Sequence, residues 1–404
     1  MTRTLAARCA IVLALALPAH AQTLPSEPIV FADGRVTLGG DVSWSFAPDD
    51  TGFFNYTDYD HNALRTIRGR LLGQWNISSR VALLGELRIE NADSLAAAAL
   101  YVRWRPWVQH DFDIQAGRIP PVIGAFARHA YGRDNLVIGT PLAYQYLTSL
   151  RPDALPATAD DLLRMRARGW RPSFPVGSQT IAAGSPLVTA FHWDTGVESR
   201  WQTGRLELSG ALTRGAPATP VFRGTHDGAA LSGRVAVHAG GGLVVGVSAA
   251  RGHWIDATVL QQVPDSVRGK TSQAVVGADA EYSFGRLFMR GEWLRSAFDL
   301  PALSQPQPKT PLVANGGFLE GRYRWHPRWQ ASARIERLTF SAIQGLSLNW
   351  VATPWDAPVR RVEAVLGYRA ARNLEVRAGW QQNWRDAGRV LDRGYPVLQV
   401  LYWF

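Results

Sequence analysis

Arginines recur at alternate positions in several segments of this chain. Arg68 and Arg70 are two residues apart, and so are Arg103 and Arg105. Side chains alternate between the two faces of a β-strand, so the members of each pair share one face. Such a face either forms ion pairs with carboxylates on the neighbouring strand or presents fixed charge to ions in water.

Carboxylates interleave with the arginines, which favours ion pairing for any single arginine. Collectively, the arginines exceed the inward-facing carboxylates in the early strands, so we expect a surplus of positive charge there. The residues predicted to face inward and line a water-filled pore are Arg68, Arg70, Glu86, Arg88, Arg103, Arg105, Arg118, Arg128, Arg133, Arg234, Arg290 and Arg322.

Two-residue periodicity extends over most of the chain and predicts an all-β protein. In residues 35–47, for example, Val42 and Trp44 would face one side while Ser43 faces the other. Short turns and longer connections alternate between these segments in strict order. We predict about sixteen strands, within a range of fourteen to eighteen. The segments are 35–47, 64–77, 80–91, 96–107, 112–118, 188–201, 205–214, 231–239, 243–251, 273–284, 287–295, 318–325, 329–338, 359–369, 374–383 and 395–404.

The apolar faces of these strands indicate a barrel that spans a membrane. No apolar run beyond the amino terminus approaches the roughly 18 residues that a membrane-spanning helix needs. A closed barrel is the other structure that satisfies every backbone hydrogen bond in lipid. Tryptophans near strand ends, such as Trp44, Trp75 and Trp104, fit aromatic girdles at the membrane surface. The predicted fold is therefore a transmembrane antiparallel β-barrel.

The amino terminus has the form of a secretory signal. Arg3 and Arg8 precede an apolar run, and Ala19-His20-Ala21 is a small-residue cleavage site. Cys9, the only cysteine, lies inside this signal, so we expect no disulfide in the mature chain. The predicted divisions are a signal peptide at 1–21, a short lead at 22–34 and the barrel at 35–404, with a constriction loop at 119–187.

The last ten residues, Tyr395 to Phe404, carry apolar or aromatic side chains at every second position, as at Leu398, Val400 and Tyr402, and end in phenylalanine. This stretch resembles the carboxyl-terminal strand of bacterial outer-membrane β-barrels. The resemblance implies a location in the bacterial outer membrane, among its lipid and lipopolysaccharide. It also implies that Phe404 is recognised by the barrel assembly machinery.

Residues 119–187 lack clear strand periodicity and exceed the length of ordinary connections. Within them, Ala159 to Met165 would form a short helix capped by Thr158. The overall pattern resembles sixteen-stranded porins, in which the third external loop folds into the barrel and narrows it. The resemblance implies the same for residues 119–187, and the alternative is a cap over the pore mouth.

Residues Gly117 to Gly124 read Gly-Arg-Ile-Pro-Pro-Val-Ile-Gly. They are similar to a stretch that follows an early strand in phosphate-selective porins. The chain lacks the lysine-rich lining of that family, because Lys270 and Lys309 are its only lysines. Phosphate selectivity is therefore not expected to carry over.

The residues give little support to an enzyme. His192 and Asp194 lie two apart with Ser199 nearby, but a lipid-hydrolysing site would face the bilayer rather than the interior. No Gly-x-Ser-x-Gly or phosphate-binding loop occurs, and the histidines lack metal-ligand spacing. We expect no enzymatic activity and no cofactor or metal. The net charge is +10, but no nucleic-acid module accompanies it, so nucleic acid is not an expected partner.

Together these patterns predict an outer-membrane porin for the passive diffusion of small hydrophilic solutes, with a weak preference for anions. One alternative is an exporter or assembly barrel for an acidic surface polysaccharide, which an arginine-rich lumen would suit. Another is a structural barrel that the long loop plugs. A homotrimer is expected from the porin resemblance alone.

Overall fold

Sixteen long antiparallel strands form one closed barrel. A computed structural model describes residues 25–57, 61–91, 94–130, 132–168, 171–190, 193–219, 228–269 and 271–404, apart from the side chains of Ser94 and Arg133. Each strand pairs with the next along the chain, and the last pairs with the first. In chain order the strands are β1 (Val36–Phe46), β2 (Ile67–Asn76), β3 (Val81–Glu90), β4 (Ser94–Trp104), β5 (Asp111–Ile119), β6 (Asp194–Thr203), β7 (Leu206–Thr213), β8 (Ala230–Gly240), β9 (Leu243–His253), β10 (Ser272–Phe284), β11 (Leu287–Phe298), β12 (Leu312–His326), β13 (Trp329–Phe340), β14 (Val359–Ala371), β15 (Leu374–Asp386) and β16 (Val390–Trp403).

The predicted all-β barrel with sixteen strands is confirmed. Three strands begin five or six residues from the expected position, namely β6 at Asp194, β12 at Leu312 and β16 at Val390, and the other starts agree to within three residues. In β12, the inward residues Leu312 and Ala314 are fully buried and apolar. The polar half of the alternation is therefore missing there, and the sequence pattern does not identify this part of the strand.

The two faces of the barrel differ in polarity. Outward side chains such as Val42, Trp44 and Trp380 are about half exposed, whereas Asp41 and Ser43 on the opposite face are buried. An apolar outer surface and a polar interior are the reverse of a soluble protein and fit a barrel surrounded by lipid. Among the described residues, no helix is long and apolar enough to cross a membrane.

The two ends of the barrel also differ. One end carries short turns, such as Gly285–Arg286, and the other carries the long connections. Part of the predicted lead lies beside β1, where the short strand Ile29–Phe31 pairs with Val36–Leu38. The predicted signal peptide at 1–21 lies outside the described residues.

The connection from β5 to β6 covers residues 120–193 and contains several short elements. Helix α1 spans Ala159–Met165, and Thr158 caps it as predicted, because Asp161 N donates to the Thr158 side chain while Asp161 accepts from Thr158 N. The other elements are the 3-10 turns Phe126–His129, Gly132–Asp134 and Leu142–Tyr144 and a ladder between Ala154–Leu155 and Val176–Gly177.

The remaining long connections add smaller elements at the same end. Between β9 and β10 lie helix α2 (Ala257–Leu260) and the 3-10 turn Asp265–Val267. Between β13 and β14, Ala342–Ile343 pairs with Thr353–Pro354 around the turn Leu346–Leu348.

The glycines of the Gly117 to Gly124 stretch are required by the backbone. Gly117 has φ of 131° and Gly124 has φ of 73°, conformations that residues with a side chain rarely adopt. A Cβ at Gly117 would lie 2.4 Å from Leu100 O, and one at Gly124 would lie 2.5 Å from the Tyr144 hydroxyl. Local geometry therefore accounts for both glycines without a ligand.

An apolar core fills the long-loop end of the barrel interior. It joins inward side chains of the wall, such as Leu294 and Leu338, to buried residues of the connections, such as Phe126, Trp254 and Trp355. Burying a large apolar side chain contributes roughly 1.5–3 kcal/mol. The connections are therefore held to the wall by packing as well as by the polar contacts described next.

Candidate functional site

The inner wall carries pairs of opposite charge on neighbouring strands. On β1 to β3, Arg70 lies 2.6 Å from Asp41 and Arg68 lies 2.6 Å from Glu90. A further pair spans one intervening strand, since Arg234 on β8 lies 2.5 Å from Asp279 on β10 across Gly246 of β9. Because the paired residues lie on the same inward face, these contacts bridge strands and neutralise much of the wall charge.

A denser network lies on β11 to β14. The Arg334 guanidinium is fully buried and lies 2.8 Å from Glu336, 3.3 Å from Glu320 and 3.6 Å from Glu363. Arg290 Nε donates to Glu320 at 2.7 Å. Several buried charges in one place are stable only where each is paired with an opposite charge and hydrogen-bonded.

Carboxylates of this network also hold the β5–β6 connection through its main chain. Glu363 accepts hydrogen bonds from Ile138 N and Gly139 N, each at 2.9 Å. Glu336 accepts from Leu142 N at 2.6 Å. The acceptors are ionisable side chains on strands and the donors are backbone amides of the connection.

Glu292 on β11 provides a second attachment near the start of the connection. It accepts from Ala125 N at 2.6 Å and from Phe126 N at 3.0 Å, and the Tyr144 hydroxyl donates to its other oxygen. One carboxylate thus joins two parts of the connection that are distant in sequence.

Arginines of the wall bind carbonyl oxygens of the same segment, so both kinds of backbone group are used. The contacts are Arg334 to Gly139 O at 2.7 Å, Arg361 to Thr140 O at 2.9 Å and Arg377 to Asn135 O at 3.0 Å.

Residues 125–144 contact several parts of the barrel wall in turn. Arg128 Nη1 lies 3.0 Å from Glu207 on β7. The main chain then passes β1, because a Cβ added to Gly132 would lie 2.9 Å from Asp41 Oδ1. Further along the segment, Asn135 O accepts a hydrogen bond from Arg377 on β15. These contacts lie on strands that are far apart around the sheet, so one segment is attached to the inner wall at several places.

A recess rich in arginine opens on the inner wall at the short-turn end. Its volume is about 510 Å³, and its lining includes Arg35, Arg80, Arg103 and Arg105 with Gln74, Asn76 and Ser78. Among the residues that the structure describes, no carboxylate lines it. The recess is therefore a place where the positive charge of the wall is not balanced locally.

Comparison with known proteins places this geometry in a recognised fold. No protein-family model and no curated protein matches the chain. Solved structures do match over nearly its whole length. OmpT of Vibrio cholerae, described as outer-membrane expressed, is 11% identical with a TM-score of 0.53 and covers 93% of this chain and 100% of its own.

The chain has the fold of bacterial outer-membrane porins. An anion-selective porin from Comamonas acidovorans is 12% identical with a TM-score of 0.54, covering 91% of this chain and 99% of its own. Salmonella typhi OmpF in complex with daunomycin is 10% identical with a TM-score of 0.54, covering 94% and 100%. Because the sequence identities are this low, these similarities establish the fold alone.

Most of the predicted pore-lining residues lie on the inner wall of this porin fold. Arg68, Arg70, Arg234 and Arg290 are inward and paired with carboxylates, as the pairing argument predicts for individual arginines. The remaining positions are Glu86 and Arg88, inward and buried; Arg103 and Arg105, in the recess; Arg128, beside Glu207; and Arg322, inward with its guanidinium 5.7 Å from the Phe288 ring centre. The Arg133 side chain lies outside the described part of the chain.

The placement of Arg118 on the inner wall is wrong. Arg118 pairs with Leu100 on β4, which is exposed on the outward face, and with Thr195 on β6. Its Nε donates to Trp193 O at 2.9 Å and its Nη1 donates to Ala97 O at 2.8 Å. A long side chain that finds backbone acceptors at the strand ends can remain on the outer face, so charge alone does not assign a residue to the lumen.

The residues considered for hydrolysis do not assemble. Asp194 is inward and accepts hydrogen bonds from Thr195 N and Gly215 N. Ser199 alternates with Glu198 and lies on the outward face. His192 lies outside the described residues. In the described part of the chain, no group of three or more His, Cys, Asp or Glu side chains is arranged to hold a metal ion.

Sequence reasoning did not identify Glu292, Glu336 and Glu363 as attachment points for the connection. Alternation along β11, β13 and β14 places these side chains on the inner face, but their partners are backbone amides that no sequence pattern reveals. One signal was present, namely apolar residues such as Leu294 and Leu338 on the inward face. An apolar residue facing a water-filled interior indicates that another segment covers it.

Proposed function

We propose that the chain is a porin of the bacterial outer membrane through which small hydrophilic solutes diffuse passively. The observation that carries this proposal is a closed barrel with an apolar outer face and charged residues on the inner faces of strands all round it. Lipid suits the outer face, and the polar interior suits water. The similarity to solved outer-membrane porins supports the same function.

Residues 125–144 narrow the passage in this proposal. They contact β7, β1 and β15 and lie against the network on β11 to β14. Partly exposed inward residues remain on the other side, including Arg70, Arg103 and Arg200. The passage for solutes therefore runs between this segment and the wall formed by β2 to β6.

The anion preference rests on the recess at the short-turn end. Most wall arginines are neutralised by neighbouring carboxylates, but the recess brings Arg35, Arg80, Arg103 and Arg105 together without one. Clustered arginines at a pore mouth raise the local concentration of anions and lower that of cations. The expected selectivity is weak, because the rest of the wall is close to balanced.

Reversal potentials in a salt gradient test this proposal. With purified protein in planar bilayers, the wild type should favour chloride over potassium, and Arg103→Gln with Arg105→Gln should shift the reversal potential toward cation selectivity. Arg118→Gln is the matched control, since it removes an arginine from the outward face and should leave the potential unchanged. Cation selectivity in the wild type would reject the anion preference.

A plugged barrel is the second candidate, and the apolar core at the long-loop end favours it. Trp254, Trp355 and Phe298 are fully buried inside that end and leave little room for water. Steady open current steps from wild-type protein would support the porin. If the wild type shows no channel current and shortening residues 128–134 restores it, the plug is supported.

Location, assembly and oligomeric state belong to the same proposal. The amide of Phe404 donates to Gly40 O at 2.9 Å, so the chain ends where the barrel closes, a suitable site for recognition during assembly. One similar structure is described as a trimer form of OmpT. We expect a homotrimer in the outer membrane, to be checked by cell fractionation and by the mass of the purified complex.

A further inference from the structure

Three arginines lie on the outward face of the barrel, where apolar side chains predominate. Arg295 on β11, Arg337 on β13 and Arg360 on β14 are exposed. Arg295 alternates with buried Leu294, and Arg337 alternates with buried Leu338, which confirms their outward direction. Arg337 and Arg360 lie on adjacent strands, and Arg295 lies two strands from Arg337 with β12 between them, so the three form a loose group on one side of the barrel.

Two members of this group repel each other. Arg337 and Arg360 are directly opposite in the ladder between β13 and β14. Like charges in this arrangement destabilise a sheet. Within the described chain, none of the three arginine side chains forms a hydrogen bond or ion pair, and no outward position of β10 to β14 is Asp or Glu. The repulsion is not offset by this protein itself.

An apolar groove begins beside Arg337 on the same outer surface. Its volume is about 530 Å³, and Trp293, Leu319 and Ile335 line it. The groove exists because Gly317, between Trp293 and Arg337 in the ladder, has no side chain to fill it. Asn315 and Thr339 line it at the arginine end. The site therefore has one polar, cationic end and one apolar end.

The position along the barrel matches the boundary between lipid and water. Arg295, Arg337 and Arg360 lie within the last four residues of their strands at the long-loop end. With about 3.4 Å per residue, this is within roughly 10 Å of the strand ends. In outer-membrane barrels the long loops face outside. The group therefore lies at the outer leaflet, with Trp293 just below it at the level typical of aromatic girdles.

We propose that Arg295, Arg337 and Arg360 bind the phosphate groups of a lipid of the outer leaflet, whose acyl chain lies in the groove over Gly317. Guanidinium groups bind phosphate oxygens in pairs of parallel hydrogen bonds, and a shared phosphate would relieve the repulsion between Arg337 and Arg360. The site is on the outside of the barrel, so the proposal holds whether or not the pore conducts.

Native mass spectrometry of the purified protein with diphosphoryl lipid A tests the proposal. We expect the wild type to retain this lipid, and Arg337→Gln with Arg360→Gln to weaken retention at least tenfold. Arg286→Gln with Arg328→Gln removes the same charge from exposed positions at the opposite end and should leave retention unchanged. Gly317→Val fills the groove without altering charge and should also weaken retention.

Two further arms identify the source of the phosphate. Dephosphorylated lipid A with the same acyl chains should bind at least tenfold more weakly, and inorganic phosphate should not displace the intact lipid. Equal binding of the dephosphorylated lipid, full displacement by inorganic phosphate, or equal losses in the two double variants would each overturn the proposal. Heat-dependent gel mobility confirms that each variant is a folded barrel before it is compared.

Discussion

Removal of the Glu363 carboxylate should loosen residues 125–144, the segment that we propose narrows the passage. Glu363 accepts hydrogen bonds from Ile138 N and Gly139 N, both at 2.9 Å. A hydrogen bond to a charged group contributes about 1.5–3 kcal/mol, so losing two at the lower value amounts to about 3 kcal/mol. Since each 1.4 kcal/mol is a factor of ten, Glu363→Ala should raise the population with residues 138–139 detached by about 100-fold.

Glu375→Ala provides a matched control for this change. Both carboxylates are buried and inward, each accepts a hydrogen bond from one glutamine, and each has an arginine partner. Glu375 accepts hydrogen bonds from Gln330 and Arg377, which belong to neighbouring parts of the wall and not to residues 125–144. The control therefore disturbs the wall network without releasing Ile138 or Gly139.

Single-channel recording measures the result. Glu363→Ala should show frequent transitions to a second conductance level, with an occupancy about 100-fold above that of the wild type. Glu375→Ala should keep the wild-type level and dwell times. Identical traces from all three proteins, or the same new level in both variants, would refute the idea that these two amide contacts hold the segment in the passage.

Three further predictions concern the connections. Thr158→Ala removes the cap of α1, should destabilise that helix by about 1 kcal/mol, and should speed amide exchange in residues 159–165 without changing barrel gel mobility. Tyr144→Phe keeps the ring packing but removes the hydroxyl that donates to Glu292; a loss of about 1–3 kcal/mol should appear as faster exchange at Phe126, and unchanged exchange would contradict this role. Burial raises the pKa of Asp356, which accepts hydrogen bonds from the amides of Ser149 and Ala167. Protection of those amides from exchange should therefore be greatest below the ordinary aspartate pKa of about 3.9 and should fall as pH rises through the raised pKa. Asp356→Asn should abolish this pH dependence.

The strands were predictable because each has lipid on one face and, over most of its length, a polar interior on the other. Lipid on one side and polar groups on the other impose the alternation seen in β1, where Val42 and Trp44 face out and Asp41 and Ser43 face in. The signal disappears where the interior is apolar. Leu312 and Ala314 are inward but packed in the core, so the first part of β12 was not recognised.

The site was less predictable than the fold because its contacts involve the main chain. A pattern of charges places Glu336 on the inner face, but it does not show that Leu142 N is its partner. Arg118 shows that charge alone can also assign a residue to the wrong face, since its side chain donates to Trp193 O and Ala97 O and lies on the outward face. Periodicity assigns faces, whereas partners depend on the path of a connection that has no periodicity.

Attachment through backbone groups has a consequence for how such a channel can be altered. The wall acids and arginines hold amides and carbonyls, which every residue type except proline provides in full. Side chains of the segment that remain partly exposed, such as His129 and Asp134, can therefore be exchanged without removing the backbone bonds that fix residues 135–142 to the wall. The fold separates the scaffold that holds the segment from the surface that solutes would meet, so permeation could be redesigned or diversified by substitution in the segment while the cylinder is left intact.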